Sequence, residues 1–539
     1  MDRKINFLDT SLRSNYKKHI TNKNFDVLII GGGITGAGIC LDAASRGLSV
    51  CLIEMNDFAS GTSSKSTKLI HGGLRYLEHF KFNLVHETGS ERSVLNRLAP
   101  SIVKSEKMLL PIKNNGKLNQ LSTSIALSIY DYLAGVRIKD KKQILSKKET
   151  ELMEPLLKTD GLNAGAIYSE YRTDDARLTI ELLKKANKMG AFPINYIKAN
   201  EFIIKEDKVC GINCLDRING DSFSVFSSTV VNAAGPWVDD TLKNENNKLI
   251  LSKGVHIVVP YKKFPLKQSV YFDAIDNRMI FAIPRNNTTY IGTTDTKYSL
   301  DKNNIKILKS EVRYLLESVN NYFSIILTIK DVISSWSGLR PLIKEEGKKV
   351  TEISRKDEIF VSDNGIITIA GGKLTGFRKM AERVVDMVIE TKNHKSFNKC
   401  ITSNIKLYKS ENLNEIRKEI FSYLLKNQHS ENQVVSLYDI YGENLKEIIK
   451  ISKTLKSFNK VNAIIISEFI YCFENEMCQK LVDFFSQRTG RVYFEIEKVL
   501  DQVQIIKETY KKLKGISEKE FDLERVELKS YINSITTFI

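Results

Sequence analysis

Residues 25–30, FDVLII, run straight into GGGITG, and this junction limits the fold more than any other stretch of the chain. A short apolar run ended by glycines reads as a strand buried on both faces, the kind found in parallel sheets. Gly31, Gly33 and Gly36 form a G-x-G-x-x-G pattern, and ITGAGICLDAASRG has the small residues of a closely packed helix. LSVCLIE then reads as a second strand ending at Glu54. The three pieces make one βαβ unit, whose crossover is expected to be right-handed. In such a unit the first glycine makes the tight turn, the second admits a pyrophosphate, and the third lets helix and strand pack. The helix N-terminus offers N–H groups and partial positive charge to phosphates. Glycine-rich turns alone are common. With a strand before, a helix after and an acid in place for the ribose hydroxyls, the pattern predicts a dinucleotide site holding Gly31, Gly33, Gly36 and Glu54.

The next stretch separates FAD from NAD. NAD enzymes usually continue with further βα units, whereas here residues 60–80 read SGTSSKSTKLIHGGLRYLEHF. Thr62, Ser63, Ser64, Ser66 and Thr67 offer hydroxyls, and the backbone between them offers N–H groups, to a pyrophosphate and a flavin ring edge. Lys68 and Leu69 complete this cofactor-binding set. A disordered Ser/Thr linker is the plain alternative, but LIHGGLRYLE is too sharply patterned for it. VVNAAGPW reads as another strand, ending in Ala234 and Gly235, as a backbone passing close to a nucleotide requires. IITIAGGKLTGFRKMAERVVDMV joins a strand to a helix through a glycine pair. A helix N-terminus at Gly372, Lys373, Leu374 and Thr375 would stabilise negative charge on the pyrimidine end of a reduced flavin.

At 539 residues the chain is too long for one core, so two or three domains are expected. Its 42% hydrophobic and 27% charged content is that of a globular protein. No apolar run approaches the roughly 18 to 20 residues that span a bilayer, and MDRKINFLDTSLRSNYKKHI lacks the apolar centre of a secretory signal. A cytoplasmic protein, free or peripheral on the inner membrane face, is expected. Cys40, Cys51, Cys210 and Cys214 read as structural, and the seven cysteines show no CxxC pair or metal-like spacing. The net charge of +17 suits a nucleic-acid or anionic-membrane surface. Because the lysines are dispersed, nucleic acid is not expected, while an anionic membrane stays open.

DDARLTIELLKKANKMGA predicts a helix capped by Asp174 or Asp175. Strands are expected in VVNAAG, GVHIVVP, MIFAIP, YIGTT and IITIAGG. From about residue 395 helical patterns such as NEIRKEIFSYLLK and EIEKVLDQVQIIKETYKKLK take over. The expected organisation is an N-terminal extension at 1–22, interleaved cofactor and substrate domains at 23–390, and a helical C-terminal domain at 391–539.

These stretches resemble the FAD-dependent glycerol-3-phosphate dehydrogenases, within the D-amino-acid-oxidase-like flavoproteins. The resemblance is carried by GGGITGAGICLDAASRGL, FASGTSSKSTKLIHGGLRYLEH, TDDARLT, VVNAAGPWVDD, KGVHIVVP, IGTTDT, SGLRPL, ISRKDEI and AGGKLTGFRKMAE, in the family's order, and SEFIYCFENEMCQKLVDFFSQRTGRVYF extends it into the C-terminal part. Thr35, Val255 and Thr375–Gly376–Phe377 depart from the family's usual residues without removing a charge. The resemblance implies an α/β fold: a Rossmann-like FAD-binding domain, a discontinuous antiparallel-sheet substrate domain and an all-helical C-terminal domain. It also implies oxidation of sn-glycerol 3-phosphate to dihydroxyacetone phosphate, with hydride passing from C2 to the N5 of non-covalent FAD and electrons onward to a membrane quinone.

Such chemistry needs cations for a phosphate dianion, where an arginine fork donates two hydrogen bonds to one group. Arg340 and Arg355 match the family's phosphate-binding arginines, and Arg75, Tyr76 and Arg278 are further substrate-binding candidates. His71 is the candidate base, since an imidazole accepts a proton at neutral pH. His256 is its rival, and which of the two acts stays open. Lys373 would polarise the C2 oxygen or pair with the reduced flavin, so His71, Arg340 and Lys373 form the expected catalytic set. The alternative activity is a glycerol-3-phosphate oxidase that makes hydrogen peroxide. That family usually carries an insertion where this chain passes directly from SGLRPLIKEEGKK to TEISRKDE. An amine oxidase of the same fold would lack the arginines, and a non-catalytic nucleic-acid binder would rest on charge alone. A homodimer and the role of the helical domain are left open.

Overall fold

The computed structural model describes residues 8–72, 82–114, 123, 127–129, 141–242, 248–344, 357–392, 396–408 and 412–539. Arg75, Tyr76, Arg355 and the loop following SGLRPLI lie outside the described residues.

The apolar run at 25–30 divides at Asp26, whose carboxylate accepts hydrogen bonds from Ser49 N and Oγ, both at 2.9 Å. Asn24–Phe25 joins a small four-stranded sheet, and Val27–Ile30 enters a six-stranded one. The six strands lie in the order Asp357–Val361, Ile367–Gly371, Val230–Asn232, Val27–Ile30, Val50–Ile53 and Phe192–Ile194. All neighbours are parallel except the first pair. Every residue of Val27–Ile30 and Val50–Ile53 is buried, as a sheet covered on both faces demands. The helix Ile34–Ser45 is itself almost wholly buried, and the helices Asp175–Lys188 and Phe377–Glu390 pack against it. Asp174 is the N-cap of the first of these, accepting from Arg177 N at 3.1 Å.

A second, larger sheet holds the expected strands GVHIVVP, MIFAIP and YIGTT within Leu249–Pro260, Met279–Arg285 and Thr288–Gly292. It is antiparallel except where Ser269–Asp273 runs parallel to Lys104–Lys113. Its register aligns Tyr271, Phe281, Gly292, His256 and Trp336 as successive cross-strand partners. Directly opposed residues project from the same face, so these five form one row across the sheet.

The described residues from 396 onward contain helices and turns but no strand. Helices such as Lys460–Asn475 and Ile496–Lys514 share an apolar core with the large sheet through Met108, Tyr168, Tyr290 and Trp336. At the other end, the helix Arg13–Thr21 docks on the small sheet and on the edge strand Phe192–Ile194 of the six-stranded one. Arg13 pairs with Asp216 at 2.6 Å, and the Tyr16 hydroxyl donates to Pro193 O at 3.0 Å. Among the described residues no helix is long and apolar enough to cross a membrane.

Candidate functional site

One cavity of about 1140 Å³ opens between the six-stranded sheet and the larger one. That exceeds the roughly 300 to 1,000 Å³ typical of small-ligand pockets, and suits an extended dinucleotide together with a small substrate.

At its nucleotide end stands the glycine turn. Gly31 has φ +111°, and a Cβ there would lie 2.5 Å from Ala233 O. Gly36 does not line the cavity; a Cβ at that position would come within 1.9 Å of Gly31 O, so it serves the contact of helix against turn. Gly33 lines the cavity and is the N-cap of Ile34–Ser45, with no capping side chain of its own. Ser63 Oγ accepts from Ile34 N at 2.8 Å instead. Glu54 lines the cavity with both oxygens occupied: Oε2 accepts from Gly32 N at 2.6 Å, and Oε1 from Asn56 N at 2.8 Å. Burial pushes its carboxyl above the ordinary range, opposed by those two backbone donors.

The hydroxyl-rich loop divides its duties. Thr62, Ser63, Ser66, Thr67 and Leu69 reach the cavity wall, whereas Ser64 and Lys68 do not. Lys68 is spent inside the protein, donating to Asp175 Oδ1 at 2.6 Å and Ser64 O at 2.9 Å. Ala234 and Gly235 line the opposite wall, and so do Gly372, Lys373 and Leu374. The junction near residue 370 differs from expectation. Gly371 and Gly372, at φ +75° and +80°, lead into a single turn at Leu374–Gly376, and the α-helix begins only at Phe377. Positive φ at both glycines turns the chain before it can enter the helix. Thr375 lies behind the wall, where its Oγ1 accepts from His71 N and donates to His71 O, both at 3.1 Å.

The other end of the cavity is cationic. Arg340 lies on the strand Ser334–Ile343 and donates through Nη2 to Thr293 Oγ1 at 3.0 Å and through Nη1 to Thr294 O at 3.2 Å. A Cβ on Gly254 would come within 2.3 Å of Arg340 Nη2, so that glycine makes room for the guanidinium. Asp295 faces the same arginine at 3.4 Å. Arg278 lines the cavity too, but its fork is engaged by Asp276 at 2.7 Å and lies over the Tyr314 ring. His71 is on the wall. His256 is not: it stacks on Trp336 with centroids 4.9 Å apart, and its Nε2 is 3.0 Å from Thr67 Oγ1. Burial holds its imidazole well below the ordinary range, and the cations Arg340 and Lys68 add to this, so the ring is neutral at physiological pH.

Several wall residues have no counterpart in the sequence reading. Trp237, Asp240, Lys302 and Asn303 form one rim, with the Trp237 Nε1 donating to Asn303 Oδ1 at 3.1 Å. Tyr271, Phe281 and Met279 give a flank beside Arg278 its apolar character. Trp237 and Asp240 lie in VVNAAGPWVDD, but nothing in that stretch marks them as wall residues, and the Tyr271–Phe281 pairing exists only through strand register.

The chain's residues 26–378 match the FAD dependent oxidoreductase family, and residues 400–521 match the C-terminal domain of alpha-glycerophosphate oxidase. It is 45% identical over 510 residues to the aerobic glycerol-3-phosphate dehydrogenase of Staphylococcus aureus (strain MRSA252), covering 92% of each chain. Its structure resembles that of a Bacillus halodurans glycerol-3-phosphate dehydrogenase complexed with FAD, with a TM-score of 0.83 and 38% identity over 98% of this chain and 99% of that one. An L-alpha-glycerophosphate oxidase from Mycoplasma pneumoniae with FAD bound shares the fold at a TM-score of 0.56 and 18% identity, over 72% of this chain and 98% of that one. A glycine turn closed on its neighbouring strand, a cavity of dinucleotide size and these matches over nearly the whole length agree, and the chain belongs to the FAD-dependent aerobic glycerol-3-phosphate dehydrogenase family.

Proposed function

We propose that this protein oxidises sn-glycerol 3-phosphate to dihydroxyacetone phosphate and passes the electrons to a membrane quinone from a peripheral position on the cytoplasmic face. The observation that carries the reading is the single cavity that joins the glycine turn at Gly31 and Gly33 to the guanidinium of Arg340. The glycines whose missing side chains leave room, the carboxylate of Glu54 on the cavity wall and the hydroxyls of Thr62 and Ser63 fit a non-covalently held FAD. Bound there, FAD supplies a two-electron acceptor. Arg340 receives the substrate's phosphate, with Arg278 beside it and Arg75 and Arg355 as further cations. Lys373 polarises the C2 oxygen. His71, on the wall and held at its backbone by Thr375, takes the proton of the C2 hydroxyl as the carbon is oxidised. His256 acts from behind Thr67, whose hydroxyl it orients as a neutral ring. The net charge of +17 suits an anionic membrane surface. A second reading, transfer of the electrons to oxygen, is favoured by the C-terminal match to a domain of alpha-glycerophosphate oxidase.

The test is an anaerobic titration of the holoenzyme with sn-glycerol 3-phosphate, followed by a quinone analogue or by air. Loss of the oxidised-flavin absorbance is expected, with recovery fast on quinone and slow in air. The same titration of H71A is expected to be slower by about 10² to 10⁴. Fast recovery in air with peroxide would establish the oxidase reading, and no loss of absorbance would remove the substrate.

A further inference from the structure

The loop after the strand Val50–Ile53 carries Glu54 to the cavity, and it is held from a distant part of the chain. Within it, Ala59 adopts φ +61°, a conformation few non-glycine residues take, and its N–H donates to Gly32 O at 3.0 Å. The loop lies flush against the glycine turn: a Cβ on Gly32 would lie 2.8 Å from Glu54 Cβ and 2.9 Å from Phe58 Cδ1. On the loop's far side the Asp57 carboxylate, 2% exposed, meets the guanidinium of Arg488, which is fully buried. The pair is a two-pronged fork, Nη1 to Oδ2 at 2.5 Å and Nη2 to Oδ1 at 2.9 Å.

Both partners are fixed in turn. Arg488 Nη2 also donates to Glu476 O at 2.8 Å. Asn195 Nδ2 donates to Asp57 Oδ1 at 2.8 Å and to Met477 O at 2.9 Å. The next residue, Tyr196, donates its N–H to Asn56 O at 2.9 Å and its hydroxyl to Asp483 Oδ1 at 2.7 Å. Arg488 does not line the cavity. It stands in the turn Phe484–Arg488 of the helical region, more than four hundred residues along the chain from Asp57.

We propose that Arg488 is a positioning residue for the cofactor: its fork on Asp57 holds the loop that presents Glu54 to the nucleotide end of the cavity, so that the helical region sets the affinity for FAD. A planar fork on a carboxylate fixes direction as well as distance, which a lysine ammonium does not. A buried guanidinium on a loop of this shape therefore selects one position of the backbone. The inference rests on the reading that Glu54 faces the cofactor's ribose, and the experiment separates the two.

The measurement is the Kd of the full-length apoprotein for FAD, by titration of flavin fluorescence, for R488K, E54Q, the double variant and R491K. Arg491 makes a comparable buried pair with Glu468, at 2.7 Å, wholly within the helical region. R488K is expected to raise the Kd about tenfold, E54Q to raise it as well, and the double variant to add less than the product of the two. R491K is expected to stay within about twofold, whatever its melting temperature. E54Q with a wild-type Kd overturns the reading of Glu54 and this inference with it. E54Q weakened and R488K unchanged overturns the inference alone, as does R491K matching R488K or full additivity in the double variant. Should R488K fail to fold, D57N puts the same question from the other partner, with the same outcomes.

Discussion

Arg340 owes its place to a residue with no side chain. The guanidinium lies over Gly254, the position opposite Gly338 in the pairing of their two strands, and is steadied by Thr293 and the Thr294 carbonyl. Held so, it offers a planar fork to a phosphate without first losing side-chain entropy. R340M is expected to lower kcat/KM for sn-glycerol 3-phosphate by about 10² to 10³, the cost of leaving a dianion short of its main partner. R340K should recover part of this loss, and flavin content should match the wild type in both. Steady-state kinetics with the flavin content measured on the same samples checks this, and a kcat/KM within about threefold of the wild type would remove Arg340 from the phosphate site. The same scale shows where residue-level reading stops. His71 and His256 look alike in sequence, yet one lines the cavity and the other is buried against Trp336 with its ring kept neutral. Strand register sets His256 opposite Trp336, whereas His71 stands just past the end of its strand.

At the scale of elements, the turn between the first parallel strand and its helix is among the most tightly constrained of the described residues. A methyl at Gly36 would meet the backbone oxygen of Gly31 at 1.9 Å, which cannot swing aside, whereas one at Gly33 would meet only Ser63 Oγ at 3.1 Å. G36A is therefore expected to purify without flavin and to lose about 1 to 3 kcal/mol or more of stability, while G33A keeps its fold and gives up FAD affinity. Thermal melts and flavin content distinguish the two, and a G36A protein with full flavin would contradict the account. This turn was legible in the sequence because strand, glycines, helix and acid all act within thirty residues or so of one another. The polar loop at 60–67 was legible only in outline. Its hydroxyls were visible, but Lys68 pairing with Asp175 depends on a helix that begins a hundred residues later. The helix after Gly372 begins later than its sequence suggests, since a glycine pair signals a turn without stating which residue first becomes helical.

On the scale of the whole molecule, charge ties the helical region to the nucleotide-binding sheet. Arg177 and Lys184 of the helix Asp175–Lys188 meet Glu476 at 2.7 and 3.0 Å, and Arg488 meets Asp57. Two of the acids at this junction, Glu476 and Asp483, behave in opposite ways. Burial alone would raise Glu476, but Arg177 and Lys184 hold it well below the ordinary carboxylate range. Among the described residues no cation pairs with Asp483: burial and the neighbouring Asp57 push it up to about 8, and Arg488 only partly offsets them. A carboxyl raised in this way favours the folded state while neutral. Its contribution is full below the ordinary carboxylate range and is lost as pH rises through about 8. The slope for one such proton is about 1.4 kcal/mol per pH unit.

Asparagine reproduces the neutral acid. Its carbonyl can accept from Gln479 N and Lys480 N, now at 3.0 and 2.9 Å from Asp483 Oδ2, and its amide can donate to the Tyr196 hydroxyl. D483N is accordingly expected to match the wild type in melting temperature near about pH 4 and to exceed it increasingly up to about pH 8, flattening the decline between them. Parallel curves for the two proteins across that range would show that Asp483 is ionised in the folded state and adds one more buried charge to the junction.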